Sequence, residues 1–422
     1  MRHIVILGAG TAGTIMANRL TRLLSSDVEA GDIDITIVDR DDQHVYQPGL
    51  LFVPFRLYTP EEIVRPRWQS LPAHVRFERG EVERITADKA TVHLTDGRTL
   101  PYDVLVLATG ARTLPEETEG LTGAGWRESA FDFFTLEGAT ALATALGKFT
   151  AGRLVVNVVD MPIKCPVAPL EFAFLADWYY TMRGIRDQVH ITYATPLDGA
   201  FTKPIAADRL AHLLSDKHIE LVTEFNAGAV DGKAGTLSSW DDRTIDFDLL
   251  VTIPLHGGAP YVARTPGLGD DNGFVLTDKH TLQATLAPNI FAIGDAANLP
   301  TSKAGSVAHF ESEVLAPNIV RYLRGEPLRP DFDGHANCFI ETGFNKALLI
   351  DFNYDTEPLP GHFPFGASPL PLLKESYLAH QGKMLFRWMY WNLILPGHAL
   401  PGVSARMSLA GKYRPAPAPQ PA

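Results

Sequence analysis

The fold is decided by the stretch Gly8-Ala9-Gly10-Thr11-Ala12-Gly13, near the start of the 422-residue chain. An apolar strand is predicted before it, at His3–Leu7, and a helix after it, from about Thr14 to Leu24. In this Gly-x-Gly-x-x-Gly pattern the glycines allow a tight turn, contact between backbone and pyrophosphate, and close helix packing. The N-terminus of the helix adds a partial positive charge toward the phosphates. The sequence therefore predicts an α/β unit of Rossmann type that binds a dinucleotide.

Working outward, the next apolar strand strengthens this prediction. It is expected at Ile33–Val38 and ends at Asp39, whose carboxylate is placed to bond the adenosine ribose. We add Arg40, and Val82 further along, to the predicted cofactor contacts. The alternating stretch Arg76–Leu100 predicts a β-meander.

Two later strands end in small-residue turns. One is V-L-V-L-A-T-G at Val104–Gly110, and the other is T-L-A-P-N-I-F-A-I-G-D at Thr285–Asp295. This order resembles the flavoprotein disulfide-reductase superfamily, whose members carry two dinucleotide-binding domains. The resemblance implies FAD in the first domain, with Asp295 binding its ribityl and phosphate groups. It also places the loop Gln43–Leu50 near the flavin; because that loop has no cysteine, we expect non-covalent FAD.

The second unit lacks the glycine turn. Its first strand is predicted at Leu154–Val159, yet no glycine occurs between Arg153 and Gly184. The segment Pro162–Pro169 is rigid and poor in N–H groups, so it offers neither a close backbone approach nor a phosphate cradle. We infer a domain that keeps the Rossmann-like fold but has lost its NAD(P)H site, so the electron donor is something other than a nicotinamide.

Composition limits the remaining functions. The chain is 45% apolar and 20% charged, as in ordinary globular proteins of two or three domains. Its net charge of −12 argues against nucleic acid as a partner. Two cysteines are too few for a disulfide scaffold, and by default they are buried thiols. No metal site, membrane-spanning helix or secretory signal is predicted.

Three segments carry a more specific resemblance. They are P-I-K-C-P-V-A-P-L-E at Pro162–Glu171, T-S-K-A-G-S-V-A-H-F at Thr301–Phe310 and C-F-I-E-T-G-F at Cys338–Phe344. Together they resemble the sulfide:quinone oxidoreductase family, with the flavoprotein subunit of flavocytochrome c sulfide dehydrogenase as a near relative. The likeness extends from Gly8 to about Lys412. It departs from members with a third cysteine upstream, since the region Trp126–Leu146 has none.

The resemblance implies a redox role for both cysteines. Cys165 and Cys338 would lie on one face of the isoalloxazine, bridged by sulfur, and sulfide would attack this bridge and pass two electrons to FAD. Glu171 stands at the position where the family has a possible proton acceptor. Its presence is explained nearly as well by an acidic residue that stabilises the first turn of a helix. Lys164 can lower a thiol pKa, or it is a solvated surface lysine.

The helix that begins around Lys303–His309 should point its N-terminus at the flavin, with Lys303 assisting, unless it is a plain interdomain helix. The full set of predicted cofactor-binding residues is Gly8, Gly10, Thr11, Ala12, Gly13, Asp39, Arg40, Val82, Ala108, Thr109, Gly110, Gly294, Asp295 and Lys303.

The C-terminal region predicts contact with a membrane. It is basic, and its aromatic run Met384–Leu395 is too short to cross a bilayer but suits an interfacial helix. A buried core or dimer-interface helix is the alternative, and a homo-oligomer is left open. We expect a peripheral membrane protein on the cytoplasmic face, with a membrane quinone as electron acceptor. The candidate quinone residues are Phe339, Phe344, Tyr377, Phe386, Tyr390, His256 and Lys374.

The predicted domains are 1–112 with 263–330 for FAD, 113–262 for the second Rossmann-like unit, 331–414 for the quinone and membrane region, and 415–422 for a disordered tail. The sequence predicts an enzyme that oxidises sulfide to polysulfide or sulfur and reduces quinone. Three alternatives stay open: a type 2 NADH:quinone oxidoreductase, a sulfide dehydrogenase flavoprotein that donates to cytochrome c, and a flavin-holding redox sensor without turnover.

Overall fold

A computed structural model describes residues 1–400 and 402–414, so the predicted disordered tail lies outside the described residues. The two largest sheets each have five strands, and all the pairings within them are parallel. Helices follow the strands in both units. The prediction of an α/β fold with two Rossmann-like units is therefore confirmed.

The first sheet contains the glycine turn. Its strands, in spatial order, are Ile290–Ala292, Val104–Leu107, Arg2–Leu7, Ile33–Asp39 and Val75–Arg79. Helix Thr11–Leu23 begins three residues before the predicted start, with Gly10 as its N-cap. Because parallel strands end at a common edge, the Gly8 turn and Asp39 lie side by side there.

Two strand predictions in this unit are corrected. Val75–Arg79 was expected in the meander but pairs in parallel with Ile33–Asp39; the antiparallel sheet consists only of Val82–Thr86, Thr91–Leu94 and Thr99–Pro101. Alternation of apolar residues fits a half-buried strand in either sheet type, so it could not assign the partner. The strand predicted at Thr285–Asp295 is ordered as a strand only over Ile290–Ala292.

The second sheet is inserted between the strands of the first. Its strands, in spatial order, are Ala130–Phe131, Leu249–Ile253, Gly152–Val158, Val189–Ala194 and Ile219–Val222. Its helices are Leu136–Lys148, Ala168–Met182 and Pro204–Asp216. An antiparallel pair, Arg112–Leu114 with Leu255–Gly257, marks where the chain enters and leaves this unit.

The C-terminal region joins the first unit through helix Gly305–Leu323. A hairpin of Ala336–Gly343 and Lys346–Phe352 comes next, and then helix Tyr377–Met389, which continues as a π-helical turn over Tyr390–Ile394. Ser376 caps the helix by accepting the Ala379 N–H at 3.0 Å. The predicted interfacial segment was therefore placed too far along the chain, because its second half, Tyr390–Ile394, is largely buried.

The remaining regular elements are short. The strands are Gln43–Val45 with Val64–Pro66, Ala227–Asp231 with Thr236–Ser239 and Thr244–Asp246, Val275–Leu276 with Ala297–Asn298, and Gly361–Phe363 with Leu370–Leu372; the helices are Ser25–Glu29 and Pro260–Ala263.

Candidate active site

One cavity of about 370 Å³ connects the glycine turn, both cysteines and the C-terminal helix. Its lining includes Gly10 and Asp39 of the predicted dinucleotide site, both cysteines, and Phe386 of the C-terminal helix. The cavity therefore joins the predicted cofactor site to the predicted redox thiols in a single space.

The glycine turn leaves room for a ligand at one position only. A Cβ on Gly8 would lie 2.4 Å from the Ala108 carbonyl oxygen, and one on Gly13 would lie 1.8 Å from that of Gly8. A Cβ on Gly10 would meet nothing within 4 Å. Gly8 and Gly13 thus allow close packing of strand and helix, while Gly10 opens the backbone to the cavity, as a pyrophosphate requires.

Asp39 is held by charge and backbone contacts. Its carboxylate accepts the Ala9 N–H at 2.7 Å and lies 3.2 Å from the Arg67 guanidinium. Arg67 is itself buried and donates to the Ala9 carbonyl at 2.6 Å and to Asp41 at 2.9 Å. This arginine places a fixed positive charge beside the adenosine end of the cavity.

The Gly294-Asp295 turn borders the cavity near its centre. No protein group among residues 1–400 and 402–414 is hydrogen-bonded to the Asp295 carboxyl, although it lines the cavity and burial raises its pKa. Lys303 donates instead to the carbonyls of Asp295, at 2.9 Å, and Ala297, at 2.8 Å. The Lys303 ammonium group therefore stabilises the turn, and the carboxyl oxygens of Asp295 can accept hydrogen bonds from a ligand hydroxyl.

The cavity fits an FAD molecule. Two helix N-termini border it, one at Thr11 in the glycine turn and one at Gly305 beside the cysteines, and each offers partial positive charge to a bound cofactor. The predicted loop near the flavin also contributes lining residues. These are Gln43, Val45, Gln47, Pro48 and Leu50.

Most of the predicted cofactor residues line this cavity. They are Gly8, Gly10, Thr11, Ala12, Asp39, Ala108, Thr109, Gly110, Gly294, Asp295 and Lys303. Gly13 lies behind the turn, Arg40 points into solvent with 79% of its side chain exposed, and Val82 lies in the separate antiparallel sheet. The predicted contact of Arg40 with the cofactor stays a prediction, and the arginine that pairs with Asp39 is Arg67.

The two cysteines are held beside one helix N-terminus. The Cys165 N–H donates to the Lys303 carbonyl at 2.7 Å, and Ser306 Oγ donates to the carbonyl of Asn337, next to Cys338, at 2.7 Å. Cys165 has a left-handed backbone, with φ of 50°. Both cysteines are free thiols and both line the cavity.

Burial dominates the electrostatics of the thiols. It raises the pKa of Cys165 to about 12, with Glu171 adding to the rise and Lys383 opposing it. Burial also raises the pKa of Cys338, and the nearby Cys165 adds to that effect. Lys383 lowers the pKa of both thiols, and Lys164, whose two possible roles were left open, interacts with the charge of Cys165.

Glu171 and Lys383 form a buried ion pair at the cavity wall. Glu171 is fully buried in the first turn of helix Ala168–Met182, and its Oε1 lies 2.7 Å from the Lys383 ammonium. The same oxygen accepts the Glu341 N–H at 2.7 Å, while Lys383 also donates to the Phe339 carbonyl at 3.0 Å. The pair thus links the thiol side of the cavity to the C-terminal helix.

The seven quinone candidates divide into two groups. Phe339, Phe386 and Tyr390 line the cavity; Phe344, Tyr377, His256 and Lys374 do not. Phe344 lies in the turn of the C-terminal hairpin under Lys217, and Tyr377 and Lys374 are exposed. His256 is buried, its pKa lowered to about 3 by burial and then by Lys164.

Tyr390, predicted as a quinone candidate, lies against the glycine turn. Its hydroxyl bonds to Thr11 Oγ1 at 2.7 Å and to His44 Nε2 at 2.7 Å. The side chain is 1% exposed, so it anchors the C-terminal region on the dinucleotide turn. Only Phe339 and Phe386 remain as aromatic candidates near Lys383.

Helix Tyr377–Met389 has an exposed apolar face. It carries Tyr377, Leu378, Leu385 and Trp388, each 47–60% exposed. A 3.6-residue period places all four within about 100° of arc. In the described part of the chain, residues 1–400 and 402–414, we find no helix whose length and apolarity would let it cross a bilayer.

Sequence reasoning missed two residues of this site, Arg67 and Lys383. Arg67 stands in a stretch without any motif, and only its position after the loop Gln43–Leu50 could have suggested it. Lys383 was counted among the basic residues of the tail. Its spacing from the aromatic run gave no sign that it turns inward to Glu171.

Comparisons with known proteins agree with the fold. The pyridine nucleotide-disulphide oxidoreductase family matches residues 2–310. A mitochondrial sulfide:quinone oxidoreductase of Mus musculus is 27% identical over 403 residues, 94% of this chain and 87% of its own. A type II NADH:quinone oxidoreductase of Haemophilus influenzae is 23% identical over 78% of this chain and 82% of its own.

Among solved structures, the sulfide:quinone oxidoreductase of the hyperthermophilic bacterium Aquifex aeolicus has a TM-score of 0.77 and 20% identity. The match covers 94% of this chain and 92% of that one. At this identity the likeness shows the shared fold, including the C-terminal region beyond the family match.

Proposed function

The chain belongs to the pyridine nucleotide-disulphide oxidoreductase family, and we propose that it is an FAD-dependent enzyme that oxidises sulfide and reduces quinone. FAD is its cofactor. Relatives named sulfide:quinone oxidoreductase, which match more than nine-tenths of the chain, support this substrate pair.

The observation that carries the proposal is the placement of the cysteines. The chain has two in 422 residues, in segments far apart in sequence. Both line the cavity that contains the predicted FAD-binding residues. The charge of Cys165 also raises the pKa of Cys338. Two unrelated buried thiols would have no reason to meet at a flavin site.

The exchange at the thiols balances in atoms and electrons. Hydrosulfide attacks a disulfide or polysulfide bridge between Cys165 and Cys338; one S–S bond forms and one breaks, leaving a persulfide on one cysteine and a thiolate on the other. The proton of hydrosulfide goes to Glu171. FAD bound in this cavity would supply a two-electron acceptor between the thiols and quinone, so that hydrosulfide, quinone and one proton from solvent would yield sulfur and quinol.

Lys383 serves the thiols during this exchange. A thiolate is required both as attacker and as leaving group, and burial alone would keep both thiols protonated. The ammonium of Lys383 opposes that effect for Cys165 and for Cys338. Glu171 holds Lys383 in place through its 2.7 Å ion pair.

Quinone reaches the cavity from the side of the C-terminal helix. Phe339 and Phe386 line that end with apolar rings, and Lys383 offers a donor beside them. The exposed apolar face of helix Tyr377–Met389 lies on the same element. We assign this face to the bilayer surface, with the basic C-terminal residues adding attraction to anionic lipid. The protein is then a peripheral membrane protein, and the cytoplasmic face remains our expectation.

The test is anaerobic reduction of the bound flavin. Sulfide should bleach the flavin absorbance rapidly, and decylubiquinone should restore it. In Cys165→Ser and Cys338→Ser the bleaching should slow by roughly 100-fold or more, because the nucleophilic exchange is lost. Cys→Ala variants control for the new hydroxyl. Wild-type bleaching rates in both serine variants would contradict the proposal.

A further inference from the structure

Glu341 and His380 form a second acid–base pair behind the first. His380 Nδ1 lies 2.9 and 3.0 Å from the two carboxyl oxygens of Glu341. The Glu341 side chain is 2% exposed and that of His380 is 15% exposed. The pair therefore runs from the protein interior toward the surface.

This pair is joined to the site by two elements. Glu341 belongs to strand Ala336–Gly343, and its N–H donates to Glu171 Oε1 at 2.7 Å. His380 and Lys383 lie three residues apart in helix Tyr377–Met389 and so share one helix face. The Phe339 ring packs against Gly382, where a Cβ would lie 2.6 Å from it. Strand and helix are thus in close contact along this path.

The charges around Glu341 permit a proton to be held there. The charged groups that face Glu341 are His380, Lys383 and Glu171. The charge of Glu341 also contributes to the raised pKa of Tyr58. Burial raises the pKa of Glu341, while His380 and Lys383 oppose the rise. Glu171 in turn faces Lys383, Cys165 and Cys338, and its Oε2 is buried without a hydrogen-bond partner in the described part of the chain.

The proposed reaction creates a need for such a path. Quinone takes up two protons when it becomes quinol, and hydrosulfide brings only one. The other must come from solvent to a buried cavity. Glu171 and Lys383 touch the cavity, but their side chains are only 1% and 12% exposed.

We propose that His380 and Glu341 are a proton-entry branch that recharges Lys383 during quinone reduction; the inference rests on the proposed function. Lys383 gives a proton to a quinone oxygen and receives a new proton from Glu341. His380 then protonates Glu341, and solvent reprotonates His380. Glu341 and Lys383 form no ion pair within 4.0 Å, so the proposed transfer between them passes through water.

The experiment isolates quinone reduction from sulfide oxidation. The flavin of the holoenzyme is reduced with stoichiometric dithionite and mixed with decylubiquinone in a stopped-flow instrument, while a pH indicator follows proton uptake. Glu341→Gln keeps a hydrogen-bond partner for His380 but carries no proton. His380→Ala removes the proton-carrying side chain at the outer end of the path. His398→Ala, which removes an exposed histidine of the same region, is the matched control.

Glu341→Gln and His380→Ala should each slow flavin reoxidation and proton uptake by roughly tenfold or more. Added imidazole should restore both rates in His380→Ala. Bleaching by sulfide should stay within about twofold of wild type, because the thiols are untouched. Wild-type reoxidation in both variants, or equal loss in both half-reactions without imidazole rescue, would overturn the branch. If sulfide fails to bleach the wild type, the proposed donor is wrong, yet the dithionite measurement still decides on the branch.

Discussion

Glu311 is the buried carboxyl group that supports the cofactor turn. It lies in helix Gly305–Leu323, is 1% exposed, and accepts the Gly294 N–H at 2.5 Å. Burial raises its pKa to about 7; the Gly294 N–H opposes the rise, Asp295 adds to it and Lys303 opposes it. Around neutral pH this carboxyl is therefore partly protonated, and its ionisation works against the fold.

A substitution at Glu311 should show this cost directly. Because its folded pKa lies above the ordinary value, the native state binds more protons and stability falls as pH rises from 4.5 to about 7. Glu311→Gln removes this pH dependence of the free energy of unfolding. The dependence amounts to at most about 3 kcal/mol, because the pKa rises from 4.5 to about 7. Its Tm should exceed that of wild type at pH 8 and equal it near pH 4.5.

The control for this prediction lies on the same helix. Glu313→Gln removes a carboxylate that pairs with Arg19 at 3.0 Å, so it should lower Tm at pH 8. Thermal melts of the two holoenzyme variants across pH compare the two cases. A Glu311→Gln curve parallel to wild type would show that the Glu311 carboxyl does not limit stability.

At the scale of elements, helix Tyr377–Met389 has two distinct faces. Lys383 and Phe386 point to the cavity, whereas Leu378, Leu385 and Trp388 are exposed. A buried helix or a plain surface helix would not expose three large apolar side chains on one side. One face of the helix therefore lines the cavity, and the other is the face that we propose contacts a lipid surface.

Charge on the apolar face should release the protein from membranes. Leu385→Glu and Trp388→Glu each remove an apolar group from the proposed lipid contact, and together they should weaken binding to anionic vesicles by roughly tenfold or more. Trp240→Glu is the control, since Trp240 is 77% exposed but lies in the second unit. Co-sedimentation with vesicles measures the effect. Equal binding by the double variant would mean that another surface meets the bilayer.

The sequence predicted the type of most elements but not all of their partners. Long apolar runs gave Ile33–Asp39 to within a residue and Gly152–Val158 to within two. The π-helical turn Tyr390–Ile394 escaped prediction because its aromatic residues suit a membrane interface and a protein core equally well. What decides the matter is the bond from Tyr390 to Thr11, a contact across 379 residues that no local pattern encodes.

The same limit applies to the site. Cys165, Cys338 and the glycine turn carry chemistry that their own sequence contexts reveal. Arg67 and Lys383 acquire a role only through partners in distant segments, Asp39 and Glu171 respectively. Their types are common on surfaces, so their inward orientation is a property of the tertiary packing.

At the scale of the whole molecule, the two Rossmann-like units differ in the turn after the first strand. In the first unit, Gly10 opens the backbone to the cavity. In the second, the turn after Gly152–Val158 carries two prolines, a third stands at the start of the next helix, and the Cys165 N–H is already bonded to the Lys303 carbonyl at 2.7 Å. The next helix places the buried acid Glu171 in its first turn, where a phosphate would meet a negative charge.

We expect that difference to decide the electron donor. NADH or NADPH in millimolar excess, without oxygen, should leave the flavin spectrum unchanged on the time scale in which sulfide bleaches it. The reason is that the second unit offers a thiol and a carboxylate where a dinucleotide needs free N–H groups. Parallel stopped-flow traces of the wild type with each donor measure this directly, and dithionite gives the full amplitude of reduction. Bleaching by NADH that survives in Cys165→Ser would assign the protein to nicotinamide-dependent quinone reduction, as in the relative named a type II NADH:quinone oxidoreductase, and would remove the thiols from the electron path.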